Sequence, residues 1–421
     1  MKTGSVLTSS LVFVSVFSAL PLAAAEAQRC IDFVDPFIGT EYSGNVFPGP
    51  TRPFGLVQPS PDSGHGSGRY AAGYKHLEET IYGFSQTHLS GMGCGDLGDV
   101  LLLPYTGDDP VGTNLFCGAK DRFRETAKVG YYSVALTNFG VTAEIAASHR
   151  VGFHRWTYPK GMTPKVLVDL QWSCYDPGPA PQLRDGNANK YVLDYAGRLG
   201  GDNRMIMGHR VTDGWMRGRT VAWHLEFSRP WAKARWEDDP NGGKAGRYIL
   251  EFAEDAAPLE CRVAISSCDE EGAKRNFDAE ADVTFDQAVA DTQDAWEKLL
   301  LRASFESKDP NKLRILYTGL YHADVQPIDM SDVDGRYRGG DRRIAKSVNP
   351  DGSFYSNFST WDTFRSVQAM YALLVPERVD GMVNSMLAHY KAAGCLPIHV
   401  DFGIENHCMV AVHSVPLITE S

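Results

Sequence analysis

The sequence of 421 residues predicts a multidomain chain, β first and then α. Between about 31 and 270, apolar and polar residues alternate in short runs broken by Gly, Pro, Asp and Asn clusters. That is the pattern of half-buried strands in an antiparallel β-sandwich. From about 272 onward the apolar period lengthens to three and four residues, as in helices with one buried face. No helical periodicity interrupts the first region, so strands and helices are segregated along the chain rather than interleaved.

The N-terminus stands outside the fold. Lys2 gives a positive start, Val6 to Leu22 is apolar, and Ala23 to Ala27 offers small-residue cleavage sites. This is the layout of a secretory signal peptide over 1–27. Arg29 before Cys30 is the wrong lead-in for a lipid anchor. About 395 residues then remain, enough for two sizeable domains, and no other apolar run is long enough for a membrane span. The mature chain is expected outside the cytoplasm, secreted or periplasmic.

Within the β domain, over 28–270, three alternations are clear. They are Val141, Ala143, Ile145 and Ala147, then Val166, Val168, Leu170 and Trp172, then Val221, Trp223, Leu225 and Phe227. Asp238 to Gly243 reads as a turn between strands. A linker helix over 271–305 carries Phe285, Ala288, Thr292, Trp296 and Leu299 on one face. A helical domain over 306–421 follows, beginning with a helix through Leu313, Leu316, Tyr317 and Leu320. Its next helix starts after Ser359 or Thr360 and stops at Pro376, and another runs from that proline to near Gly394. Glu405 to Ser421 reads as a last helix.

A net charge of −11 and a pI near 5.6 exclude nucleic acid as a partner, which would need a basic face. All eight cysteines lie beyond the leader, so disulfides are permitted, with Cys261/Cys268 and Cys395/Cys408 the sequence-near candidates.

Ser85 to Asp96 sets His88, Gly93, Cys94 and Asp96 between two apolar runs, which predicts a shaped surface loop, either a ligand site or a structural turn. Trp361-Asp362 opens a helix. An indole face beside a carboxylate suits a hexose, although an Asp in a first turn also serves the helix dipole. Glu405 has the same two readings. Ser331 to Asp341 superficially suggests a calcium loop, but it lacks a terminal Glu and contains Arg336 and Arg338, so it reads as an ordered interdomain loop. His399, Asp401, His407, Cys408 and His413 match no closed zinc spacing, and no metal ligands are assigned. There is no GxSxG elbow and no Walker loop.

Together these stretches resemble glycoside hydrolase family 92, the calcium-dependent exo-α-mannosidases. The resemblance rests on Val34-Asp35-Pro36-Phe37-Ile38-Gly39-Thr40, Phe47-Pro48-Gly49 and the Thr87 to Pro104 block. It continues through Arg150 to Arg155, Asp332 to Gly339 and Trp361-Asp362-Thr363-Phe364-Arg365, and ends with Glu405, Cys408-Met409 and His413 to Pro416. It implies an N-terminal antiparallel β-sandwich followed by an (α/α)6 barrel, with the substrate cleft between them. By that resemblance the loop with His88, Gly93, Cys94 and Asp96 shapes the leaving-group side. Trp361 and Asp362 hold the terminal mannose, and Glu405 lies near the leaving sugar. The family inverts the anomeric carbon with a Glu acid and an Asp base, carboxyls about 6.5–9.5 Å apart.

The resemblance also places the family's acid, base and main calcium ligands in helices later than Ser421. The expected fold is therefore the sandwich followed by the first helices of an incomplete (α/α)6 barrel, with no catalytic residue assigned. Mannose-containing glycans are the expected partners and calcium the family's cofactor, its main ligands absent from this chain. These residues alone are expected to be inactive. The alternatives are a non-catalytic mannose-binding remnant, or half of an enzyme completed by a C-terminal polypeptide.

Overall fold

The computed structural model describes residues 28–64, 68–110, 116–175, 191–237 and 246–420. The expected leader over 1–27 and the turn at 238–243 lie outside the described residues.

The period-two region forms two antiparallel sheets that share one core. The smaller is ordered Ser60–Asp62, Gly83–Ser85, Leu101–Tyr105, Lys165–Asp169, Arg247–Phe252, Trp231–Glu237. The larger runs Val192–Leu199, Met205–Asp213, Arg217–Phe227, Leu259–Ser266, Val151–Thr157, Val141–Ala147, Tyr131–Leu136, Gly118–Lys128, Thr80–Ile81. Alternation decides which face is buried: Met205–Asp213 alternates buried and half-buried positions along its whole length. Leu102, Val166 and Leu250 of the smaller sheet share the core with Trp156, Trp223 and Val263 of the larger.

Helices α1 (Glu270–Asp278) and α2 (Phe285–Leu300) cover the opposite face of the larger sheet. There Phe277, Phe285 and Ala288 pack with Phe153 and Ala264, whose neighbours Val263 and Ile265 point into the sandwich core. Both helices are capped in the expected chemistry. Asp269 accepts from the Gly272 N–H at 2.7 Å, and Thr284 accepts from the Gln287 N–H at 3.2 Å. The expected linker helix over 271–305 is thus two helices, separated at Ala279 to Thr284.

A second core forms where α2 meets α3 (Pro310–Ala323) and the later helices α5 (Val367–Leu374) and α6 (Pro376–Ala393). Trp296, Tyr321, Tyr371 and Met386 pack there against Ile31, Val34 and Phe54 of the N-terminal segment. The Trp296 indole N–H donates to the Thr51 carbonyl at 2.6 Å, fastening α2 to the β region. Among the described residues, no helix is long and apolar enough to cross a membrane.

The structure corrects five further expectations. The strand through Val166 stops at Asp169, whose carboxylate captures the N–H groups of Gln171 and Trp172 at 2.8 and 3.1 Å. The expected surface loop is buried at Gln86 to Leu89 and again at Gly95 to Asp99, leaving only its tip near Ser90 to Cys94 accessible. The helix at Thr360 is broken into α4 (Thr360–Thr363) and α5, because Ser366 takes a non-helical conformation with φ −147°. Glu405 does not open a helix. It pairs in a short strand, and left-handed residues at His407, Met409 and Ala411 delay the last helix, α7, to Ser414–Glu420. All eight cysteines are free thiols, so neither Cys261/Cys268 nor Cys395/Cys408 is bridged.

Candidate functional site

A cavity of about 520 Å³ lies between a turn of the larger sheet and the helical region. One wall is Trp215 and Arg217, carried on the turn that joins strands Met205–Asp213 and Arg217–Phe227. Arg342, Cys395, Glu405 and His407 form the other. Trp215 is 40% exposed, so its indole offers an apolar face to whatever enters. A ring face, a carboxylate and two guanidiniums around one cavity can hold a polyhydroxylated ring, with C–H surface against the indole and hydroxyls on the charges.

Glu405 is held rather than free. Its carboxylate accepts from the N–H groups of Ile398 at 2.9 Å, His399 at 3.1 Å and His407 at 2.9 Å. Asp96 lies behind the opposite wall. It is fully buried and accepts from the N–H of Leu97 at 2.6 Å, the N–H of Met216 at 3.2 Å and the hydroxyl of Tyr191. Burial pushes its carboxyl above the usual range, against the pull of Arg219. Asp96 therefore touches no ligand space itself. It positions the turn that presents Trp215.

The other residues from the sequence fall elsewhere. His88 is fully buried, with Nδ1 donating to the Gln58 carbonyl at 2.7 Å and Nε2 3.1 Å from Asp62 Oδ1. It braces the fold. Cys94 is half-buried at the loop tip, its thiol pushed up by burial and by the nearby carboxylates of Asp401 and Asp96. Gly93 is exposed, and an added Cβ there would meet nothing within 4 Å. Trp361 is half-buried under the Arg365 guanidinium, 4.7 Å from the ring centroid, and exposed Asp362 accepts from the Ser359 hydroxyl. Neither lines the large cavity. A smaller space of about 130 Å³ does bring the loop tip, at Ser90, to Ser359 and Thr363 on either side of them.

Of the predicted residues, then, Glu405 lines the large cavity and Asp96 supports it. Trp215, Arg217 and Arg342, which also line the large cavity, were not among the predicted residues. Trp215 left a readable signal, since a bulky aromatic directly after Asp213-Gly214 has no packing reason to stand in a turn.

Two groups of three potential metal ligands occur among the described residues, Asp62/His88/Cys174 and His389/Cys395/Glu405. Each offers one carboxylate beside an imidazole and a thiol. Calcium takes six to eight oxygens, so neither group fits the calcium that the resemblance implies. In the first, Cys174 donates to the same Asp62 oxygen that meets His88, which satisfies the group internally.

Comparison with known proteins follows the same division of the chain. The family model described as glycosyl hydrolase family 92 N-terminal domain matches residues 33–266, and that of the family's catalytic domain matches 272–421. The solved structure of a family GH92 alpha-mannosidase from Bacteroides thetaiotaomicron is 30% identical, with a TM-score of 0.85 over 94% of this chain and 54% of that one. A family GH92 inverting mannosidase from the same organism, 23% identical, shares the fold at a TM-score of 0.80, covering 94% of this chain and 53% of its own. An uncharacterized secreted glycosidase of Arthroderma benhamiae is 23% identical over 380 residues, 81% of this chain and 46% of its own length. The chain thus spans about half the length of the relatives it matches. With both family models matched in order and the β-then-α architecture in place, the chain belongs to glycosyl hydrolase family 92.

Proposed function

We propose that the protein binds the terminal α-mannose of mannose-containing glycans outside the cell, the sugar that full-length members of the family hydrolyse, and that the large cavity holds part of it. The observation that carries this reading is the cavity itself, which exposed Trp215 of the β region and the fixed carboxylate of Glu405 of the helical region both line. The 30% identity to an alpha-mannosidase also solved with mannoimidazole supports mannose as the sugar. Export is supported by the leader-like 1–27 and by similarity to a secreted glycosidase.

In this reading the 421 residues bind sugar but do not turn it over alone, since the resemblance implies an acid and a base in later helices of the family's barrel. The domain division is proposed as 28–270 for the β domain, 271–305 for the linker and 306–421 for the first part of an incomplete (α/α)6 barrel. A C-terminal polypeptide completing that barrel would supply the acid, the base and the oxygen ligands for calcium.

Titration of the purified chain with mannoimidazole tests binding, and incubation with an α-1,2-mannobiose tests turnover. Saturable binding without mannose release is the expected result. Release of mannose by the 421 residues alone would overturn the inactivity, and absence of binding would overturn the cavity's role.

A further inference from the structure

His389 is an unusual residue for its surroundings. It sits on α6 with 2% exposure, and neither ring nitrogen has a hydrogen-bond partner. Burying two unpaired polar atoms is costly, and buried imidazoles normally find a donor or acceptor. Nδ1 faces Gly340, where an added Cβ would stand 3.2 Å away, so the missing side chain makes room for the ring. Nε2 faces Glu405 Oε2 at 3.9 Å, too far for a hydrogen bond.

Two further donors converge on that gap. Gly394, left-handed at φ 79°, ends α6 and turns the chain so that Cys395 folds back beside His389. One ligand atom each from His389, Cys395 and Glu405 all lie within 4.8 Å of one another. Cys395 and Glu405 also line the large cavity, so the group is open on one side.

We propose that His389, Cys395 and Glu405 form a binding site for a borderline divalent cation, zinc being the best match. Imidazole nitrogen, thiolate sulfur and one carboxylate suit zinc and not calcium. The charges balance: on binding, the Cys395 thiol gives its proton to solvent, and thiolate plus carboxylate neutralise the two positive charges. That neutrality matters because Arg217 and Arg342 share the cavity. Bond lengths near 2.0–2.3 Å set ligand edges of roughly 3.3–3.7 Å, so the group closes by about an ångström on binding. Cys395, half-buried just past a helix end, supplies that movement. The three backbone N–H groups on Glu405 fix the orientation of its carboxylate, as supporting hydrogen bonds do in metal sites. The fourth position faces the cavity and is left to water.

The test uses the whole chain, reduced and stripped with chelator, then titrated with cobalt(II) and zinc(II). One equivalent of cobalt should give a thiolate-to-cobalt charge-transfer band in the near ultraviolet, which zinc displaces and calcium does not. Cys395→Ser should abolish the band and weaken zinc binding at least tenfold, while Cys408→Ser retains both. No band in the unmodified chain, or a band that survives Cys395→Ser, overturns the site. A second measurement needs no substitution. Zinc should slow alkylation of Cys395 by iodoacetamide, read by peptide mass spectrometry, and leave Cys117 unchanged; equal rates at Cys395 with and without zinc overturn the proposal.

Discussion

Asp99 holds Arg219 in a two-point ion pair, with Nη1 and Nη2 each 2.8 Å from a carboxylate oxygen and both side chains at most 2% exposed. Arg210 Nε adds a third contact at 2.6 Å, and the Thr87 hydroxyl a fourth. Burial alone would raise the Asp99 carboxyl, but the two arginines outweigh it and hold it well below the usual range. The cluster ties both ends of the Gly-rich segment to strands Met205–Asp213 and Arg217–Phe227, and so to the turn that carries Trp215. Asp99→Ala strands two buried guanidiniums and should cost about 3–5 kcal/mol in a urea melt. A loss below about 1 kcal/mol would show that the cluster is not holding the fold.

Trp215 should matter for sugar and little for stability. Because it is 40% exposed, Trp215→Ala is expected to change unfolding free energy by no more than about 0.5 kcal/mol. Mannoimidazole affinity should fall on the order of tenfold, about 1.4 kcal/mol. Calorimetric titration of both proteins checks this, and unchanged affinity would remove Trp215 from the site.

Asp324 offers a pH signature. It ends α3 with its carboxyl pushed up to about 7 by burial, against the partial pull of Arg302 and Arg378, and Oδ1 has no hydrogen-bond partner. A folded-state value above the unfolded one, near 3.9, means that its contribution to stability is fully present below that value. It is lost as pH rises through about 7. Asp324→Asn keeps the shape without the charge. The substituted chain should therefore gain on the parent between about pH 4 and 7, and hold a constant advantage above that. Parallel melting curves across the range would refute the assignment.

The helical region exposes several large apolar side chains. Ile315 of α3 is 65% exposed, Leu373 of α5 81%, and Val410 before α7 68%. Isolated chains should bind a hydrophobic dye and self-associate. Leu373→Lys with Val410→Lys should reduce both, with little change in melting temperature. A monomer that ignores the dye before substitution would contradict this expectation.

Much of this architecture was legible in the residues. Alternation through Val141 to Ala147 and Val221 to Phe227 marked strands because a sheet buries every second side chain. The apolar face from Phe285 to Leu300 marked a helix by its spacing, although its start at Thr284 and the separate helix before it did not show in that spacing. Family membership was equally readable, since ordered motifs survive at low identity.

What the chain order alone could not decide was which polar residues face a ligand and which brace the fold. His88 and Asp96 looked like binding groups because a Gly-rich stretch with a His, a Cys and an Asp normally lies on a surface. The structure buries both side chains. Partners far along the chain, Asp62 and Gln58 for His88, Tyr191 and Met216 for Asp96, satisfy these groups inside the protein. His389, by contrast, carries no sequence signal at all. Its role follows from Gly340, Cys395 and Glu405 arriving beside it. Periodicity, caps and motifs are local and were set by the sequence by itself. Burial and convergence depend on long-range packing, and only the tertiary structure decided them.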